Sequence, residues 1–178
     1  MQLRDLRAWP GPRRGWHPVV SKVSERHAIE GRFDMVDTAG GASGAPAMRV
    51  LVYSDKAAAR DGVRAAVGRR PAADVPEVLF EEFATSAAAL RRLDDGGIDV
   101  CIFDGEAAPV GGMGLCRQAK DEIYQCPPVL LLIGRPDDAW LGSWSRADSV
   151  VSHPLDPVAL AEALAGLMRS RSAELAAG

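Results

Sequence analysis

The sequence has few cysteines, no long apolar run and no strong excess of one charge. Cys101, Cys116 and Cys126 show no CxxC spacing, so neither a disulfide framework nor a tetrahedral zinc site is indicated, and we expect reduced core thiols. No apolar run reaches the length of a membrane span, and the N-terminal arginines are not followed by the apolar stretch of a signal peptide. We therefore expect a cytoplasmic protein that does not insert into a membrane.

The charge balance also argues against nucleic acid as a partner. The formal net charge is −3, whereas binding to a phosphate backbone requires a clustered basic face. A length of 178 residues and a hydrophobic content of 47 % are typical of one globular domain with an appendage.

The first 47 residues differ in composition from the rest of the chain. They contain WPGPRRGWHP and end in TAGGASGAPA, which is typical of a flexible linker. Met48 then begins the strand pattern MRVLVYSD, and one alternative is that Met48 is the natural start of the protein. We expect an irregular N-terminal extension over residues 1–47, one domain over 48–171, and a tail over 172–178 with no output domain.

Five short apolar runs alternate with helical patterns from Met48 onward. The runs cover residues 50–53, 78–83, 100–103, 129–133 and 150–151. Val/Leu/Ile runs without polar alternation indicate strands that are buried on both faces of a parallel sheet. Right-handed crossovers then predict an α/β fold, (βα)5, with a doubly wound five-stranded sheet of strand order 2-1-3-4-5. The functional site of such a sheet lies beyond the carboxyl ends of the strands, where Asp55 and Asp104 end strands 1 and 3.

Four motifs in this order, VLVYSD, VCIFDGEAAP, PPVLLLIG and SVVSHP, resemble the receiver domain of bacterial response regulators over residues 48–171. The resemblance places Asp104 at the phosphoacceptor position and implies a cis bond between His153 and Pro154. Receivers neutralise the charge on the transferred phosphoryl group with Mg²⁺ held by an acidic pair after strand 1, a hydroxyl after strand 4 and a lysine after strand 5.

Several of these positions are changed in this sequence. The acidic pair reads Ser54 and Asp55, Ile133 stands at the hydroxyl position, and His153 stands at the lysine position. A hard cation that loses a carboxylate ligand binds less tightly, and a mostly neutral imidazole does not replace an ammonium group. Losing two interactions with charged groups corresponds to about 3 to 6 kcal/mol, or roughly 10²- to 10⁴-fold in stabilisation.

The resemblance thus predicts an impaired phosphoacceptor site. Val150 stands at the position of the family's aromatic switch residue, so the usual rotamer readout is also absent. One interpretation of Asp55 and Asp104 is that they are remnants surrounded by solvent at the edge of the sheet. The other is that they retain weak Mg²⁺ binding or weak phosphorylation; we expect no other cofactor.

Trp140, Trp144 and Arg146 form a first candidate partner-binding surface. The two tryptophans are four residues apart on the predicted fourth helix, so they share one face. Tryptophan and arginine are enriched in interface hot spots, and receivers commonly bind partners through helix 4, strand 5 and helix 5. We expect one tryptophan to pack on the sheet and the other to be available.

Trp9, Arg13, Arg14 and Trp16 form a second candidate surface within the N-terminal extension. Aromatic and basic residues interleaved in a Pro/Gly-rich segment are typical of a short linear anchor that orders on docking to a protein. Single-stranded nucleic acid is a weaker alternative because no folded platform accompanies these residues. A disordered tail is the simplest alternative.

Taken together, the patterns predict a protein-interaction module that is not an enzyme. The stretch DGEAAPVGGMGLCRQAKDEI resembles stand-alone actinobacterial receivers associated with the proton-pumping NADH:quinone oxidoreductase, respiratory complex I. That resemblance implies an accessory or regulatory role, through a protein partner, at the cytoplasmic face of the inner membrane. The alternative is a phosphorylatable single-domain response regulator that signals through Asp104. A flavodoxin-like enzyme is disfavoured because YSDKAAARDG lacks a phosphate cradle.

Overall fold

A computed structural model of the protein describes residues 46–177. The strands are β1 Met48–Tyr53, β2 Val78–Phe83, β3 Val100–Asp104, β4 Val129–Ile133 and β5 Ser149–Ser152. The helices are α1 Ala57–Val67, α2 Ser86–Asp94, α3 Gly112–Glu122, α4 Trp140–Ser145 and α5 Pro157–Ala177, with a 3₁₀ turn over Pro136–Ala139.

The five strands form one parallel sheet of order β2-β1-β3-β4-β5, which confirms the predicted fold class and strand order. Val50 pairs with Val100 and Cys101 with Val129, so β1 and β4 flank β3. Every residue of β3 and β4 is buried. The continuous apolar runs therefore correspond to central strands that are covered by helices on both faces.

Alternate residues of each strand enter two separate core layers. Val50 and Val52 pack with α1 and α5 on one face of the sheet. Leu51 and Tyr53 pack with α2 and α3 on the other face. This division follows from the two-residue period of a strand, which directs successive side chains to opposite faces of the sheet.

Helix α5 begins and ends differently from its neighbours. The Asp156 carboxylate accepts a hydrogen bond from the Val158 N–H at 3.0 Å, and Pro157 occupies the first helical position. The helix then continues to Ala177, so residues 172–177, expected to be a tail, are helical. Their sequence SAELAA is rich in good helix formers.

Within residues 46–177, no helix is both long and apolar enough to cross a bilayer.

Helix α4 is short and lies directly against β5. Gly142 and Ser145 form its buried side, and the Ser145 hydroxyl donates a hydrogen bond to the Gly142 carbonyl at 3.0 Å. A Cβ atom at position 142 would overlap Cγ2 of Val150. The residue at the switch position is therefore packed against the backbone of α4.

Cys101 and Cys116 are buried, Cys126 is partly exposed, and all three thiols are free, as expected for reduced core cysteines. Burial raises the pKa of Cys101 well above its usual range, and it raises the pKa of Cys116 to about 11. Burial also raises the pKa of Cys126. Because the thiolate is the nucleophile, these cysteines are poorly reactive near neutral pH.

We expect iodoacetamide at pH 8 to modify Cys126 first, because its side chain is the only one of the three that reaches solvent. Cys101 and Cys116 should react only as fast as the domain opens. Peptide mass spectrometry after timed alkylation measures this order, and the same reaction in denaturant is the control. Equal rates for Cys101 and Cys126 in the native protein would contradict the prediction.

Candidate functional site

Asp104 ends β3, and Ser54 is the first residue after the neighbouring strand β1. The Ser54 hydroxyl donates a hydrogen bond to Asp104 Oδ2 at 2.7 Å. The backbone N–H of Glu106 donates a second hydrogen bond to Asp104 Oδ1 at 2.9 Å. Each oxygen of the carboxylate thus already has a partner from the protein.

The expectation that solvent surrounds Asp104 is wrong. Asp104 is 3 % exposed and Ser54 is 1 % exposed, whereas Asp55 is exposed as expected. One physical reason is the close approach of α3, because a Cβ atom at Gly112 would lie 2.5 Å from the Asp104 carbonyl oxygen. The start of α3 therefore covers the end of β3.

Hydrogen bonds from Lys56 and Arg60 to Ser54 hold the loop after β1 in place. The Lys56 N–H donates to the Ser54 hydroxyl at 3.1 Å, so Ser54 Oγ both donates and accepts. Arg60 donates from Nη1 to the Ser54 carbonyl at 2.6 Å and from Nε to Glu82 at 3.2 Å. Sequence reasoning missed Arg60, because only the folded α1 brings this residue back to the loop.

Asp55 and Asp104 both lie near enough to Tyr53 to affect its pKa, in keeping with their positions at the ends of neighbouring strands. Burial raises the pKa of Tyr53, and the negative charges of Asp55 and Asp104 raise it further. The Tyr53 hydroxyl donates a hydrogen bond to the Val110 carbonyl at 2.5 Å. The phenol therefore remains protonated and ties β1 to the loop before α3.

The end of β4 offers no hydroxyl to the site. Ile133 is buried, and the next residue is Gly134. The Glu106 side chain reaches across to this point, since a Cβ atom at position 134 would overlap Glu106 Oε1. Sequence reasoning also missed Glu106, because nothing in the spacing shows that its carboxylate crosses to the neighbouring strand.

His153 follows β5 at the position expected from the motif. Its backbone N–H donates to the Ile133 carbonyl at 2.8 Å, which continues the pairing of β4 and β5. The bond between His153 and Pro154 is cis, as predicted. Within residues 46–177, the imidazole makes no hydrogen bond that would orient it toward Asp104.

The donor set at this site does not fit Mg²⁺ well. Ser54 supplies a neutral hydroxyl in place of a carboxylate, and its proton is directed at Asp104. Mg²⁺ prefers anionic and carbonyl oxygens in near-ideal octahedral geometry. Among residues 46–177, no three His, Cys, Asp or Glu side chains are grouped so that they could hold a metal ion.

The two tryptophans of α4 are both exposed, so the expectation that one is buried is wrong. Trp140 is 63 % exposed and Trp144 is 50 % exposed. They share one face of the helix, but Gly142 and Ser145 form the opposite, buried face.

Arg117 of α3 partly occupies the surface of Trp144. Its guanidinium lies 5.5 Å from the centroid of the Trp144 ring, and its Nη1 donates to the Trp144 carbonyl at 2.9 Å. Arg146 forms an ion pair with Asp121 of α3. Trp140 is therefore the less encumbered of the two aromatic side chains.

The other predicted partner-binding residues, Trp9, Arg13, Arg14 and Trp16, lie outside the described residues.

A five-stranded parallel sheet with an aspartate at the end of β3, an acidic position after β1 and a cis X-Pro bond after β5 defines a receiver-type protein. The chain belongs to the response regulator receiver family. It is 50 % identical over 124 residues to an uncharacterized response regulatory protein of Mycobacterium tuberculosis strain H37Rv, covering 70 % of this chain and 93 % of the relative. No family model matches the chain.

Solved structures agree with the fold. A CheY-like receiver domain protein of Methanospirillum hungatei superimposes with a TM-score of 0.57 at 18 % identity, covering 72 % of this chain and 99 % of that one. The chemotaxis response regulator CheY4 of Vibrio cholerae gives a TM-score of 0.58 at 20 % identity, with coverages of 68 % and 99 %. Receiver domains are generally signalling modules rather than enzymes.

Proposed function

We propose that this protein is a receiver-like interaction module with an impaired phosphoacceptor site, and that it acts by binding a protein partner. The hydrogen bond from Ser54 to Asp104 carries the proposal. In it a hydroxyl, rather than a second carboxylate, faces the acceptor aspartate at 2.7 Å.

This contact weakens Asp104 as a nucleophile in two ways. A carboxylate that accepts hydrogen bonds on both oxygens is stabilised in its ground state, and each bond lowers the electron density available for attack on phosphorus. Ile133 and His153 also leave the incoming phosphoryl oxygens without a hydroxyl and without a fixed cation. We therefore propose that Mg²⁺ binding through Asp55 and Asp104 is at most weak.

The exposed face of α4 is the proposed partner surface. Trp140 offers a large apolar side chain that the domain itself leaves 63 % exposed, and tryptophan is among the residues most enriched in binding hot spots. The packing of Gly142 on Val150 holds this helix on the sheet, so the surface is presented without an aromatic switch. Trp9 and Trp16 remain predicted as a second anchor.

The proposed partner is respiratory complex I, with the protein as an accessory or regulatory component on the cytoplasmic side of the membrane. The support for this partner is the resemblance of the stretch beginning at Asp104 to receivers associated with that complex. The receiver family membership agrees with a role in regulation through protein contacts.

A second candidate function is a phosphorylatable single-domain regulator of a two-component system. The position of Asp104 at the end of β3, with Asp55 retained after β1, favours it. In that case the Ser54 hydroxyl would rotate away from Asp104 when a phosphoryl group arrives.

The two functions predict different effects of Asp104→Asn, and Trp140→Ala tests the proposed contact surface. We expect affinity capture from native membranes, read by quantitative mass spectrometry, to recover the same partner with Asp104→Asn as with the natural chain. Trp140→Ala should reduce recovery at least about tenfold, because truncating a hot spot costs ≥ about 2 kcal/mol. Leu79→Ala, which removes an exposed apolar side chain on the opposite edge strand β2, is the matched control.

Loss of the partner with Asp104→Asn, in a variant that remains folded by circular dichroism, would favour the phosphorylatable regulator. Retention of the partner with Trp140→Ala would exclude α4 as the contact surface. Recovery of a partner unrelated to complex I would leave the interaction module standing and remove its proposed partner.

A further inference from the structure

Arg171 lies at the end of the sheet where the strands begin, opposite to the end that carries Asp104. It belongs to the last turns of α5, beside the loops that precede β3 and β4. Its side chain is only 20 % exposed. Within residues 46–177, its one hydrogen bond runs from Nη1 to Glu174 Oε2 at 3.2 Å, and its buried Nε has no partner.

A buried donor without an acceptor is rare in folded proteins, because it loses its bonds to water and gains none in return. Arg169, two residues earlier on the same helix and half exposed, shows how this edge of a guanidinium pairs with a carboxylate. Its Nε and Nη2 donate to the two carboxylate oxygens of Asp74 at 2.7 and 2.9 Å. Among the described residues, no carboxylate accepts hydrogen bonds from the Nε and Nη2 edge of Arg171.

Space and apolar surface adjoin this guanidinium. Arg171 lines a cavity of about 480 Å³ together with Gln125, Cys126, Glu174 and Leu175. It also lines a smaller cavity of about 150 Å³, whose wall includes Ile98 and Tyr124. The Tyr124 side chain is 89 % exposed, and Leu175 is also exposed. Tyrosine and arginine are among the side chains that interfaces favour.

We propose that Arg171 is the centre of a carboxylate-binding site for a peptide segment of a partner protein. Turned from its buried position toward the cavity, the Nε and Nη2 edge of Arg171 would donate two parallel hydrogen bonds to the carboxylate, as the same edge of Arg169 does to Asp74. An apolar side chain next to that carboxylate would fill the cavity beside Leu175. This site is independent of Asp104 and of α4, so it stands or falls separately from the proposed function.

The test follows the arginine Nε–Hε signals of the full chain by nuclear magnetic resonance at constant ionic strength. Sodium acetate supplies the carboxylate alone, and N-acetyl-leucine supplies a carboxylate with an apolar neighbour. We expect both to shift the Arg171 signal saturably, with N-acetyl-leucine binding about tenfold more tightly because its side chain leaves water. The Arg169 signal should not move, and sodium chloride should have no saturable effect.

Arg171→Lys is expected to abolish saturable binding, followed on the backbone amide signals of Gln125 and Leu175 beside the cavity, because an ammonium group keeps the charge but lacks the two-pronged edge. Arg169→Lys is the matched control on the same helix and should leave binding unchanged. No saturable shift of Arg171 in the natural chain, or equal binding by Arg171→Lys, would overturn the proposal. Tighter binding of inorganic phosphate than of either carboxylate would overturn the assignment to a peptide.

Discussion

The triple substitution Ser54→Asp, Ile133→Thr and His153→Lys is expected to tighten the binding of beryllofluoride with Mg²⁺ at Asp104 by at least about 100-fold. The first change removes the hydrogen bond to Asp104 and adds a carboxylate for the cation. The other two supply a hydroxyl and a fixed ammonium group to the anion. Interactions with charged groups contribute roughly 1.5 to 3 kcal/mol each, so even two successful replacements suffice.

Amide chemical shifts measured during a titration with beryllofluoride and Mg²⁺ report this binding. The natural chain should show no saturable shift near Asp104 at millimolar concentrations. Asp104→Asn in the triple background is the control, because it removes the acceptor oxygen and should abolish the gain. Saturable binding by the natural chain would mean that Ser54 yields readily, and it would favour the phosphorylatable regulator.

Two glycines at the start of α3 should respond to alanine with opposite signs. Gly112→Ala is expected to destabilise the domain by about 1 to 3 kcal/mol or more, because its Cβ atom would meet the Asp104 carbonyl. The clash distance is 2.5 Å, and the atoms met are backbone atoms that cannot turn away. Gly114→Ala should stabilise the domain by about 0.5 to 1 kcal/mol, because Gly114 faces open space and alanine favours a helix.

Urea denaturation followed by circular dichroism gives both free energies of unfolding under one set of conditions. The pair is its own control, since both substitutions add one methyl group to the same helix two residues apart. A neutral Gly112→Ala would show that α3 can move away from Asp104. In that case the burial of the acceptor aspartate would not be enforced by packing.

The fold could be predicted from the sequence because its signals are local and repeated. The buried strands β3 and β4 each read as an apolar run with no alternation, which is typical of a sheet covered on both faces. The strand order followed from the handedness of the crossovers. The helical continuation of α5 beyond residue 171 was not predicted, because only the helix propensity of SAELAA indicates it.

The candidate site could be predicted only in part. The positions of Asp55 and Asp104 at strand ends followed from the pattern, but the burial of Asp104 depends on how closely Gly112 approaches it. The contacts of Arg60 and Glu106 join residues from different elements, and no spacing in the sequence reveals them. The exposure of both tryptophans also depends on which side of a six-residue helix faces the sheet. That side carries Gly142, which packs on Val150.

The contact between Gly142 and Val150 has a consequence for how the protein can be controlled. On the proposed function, the backbone of α4 rests on Val150 of β5, with no aromatic side chain there to relay a change at Asp104 to the exposed Trp140. A ligand shifts an equilibrium only when two states differ in affinity for it. On the proposed function, the fraction of the partner that is bound then depends on how much of the protein the cell synthesises. Transcription, rather than a kinase, would control that fraction.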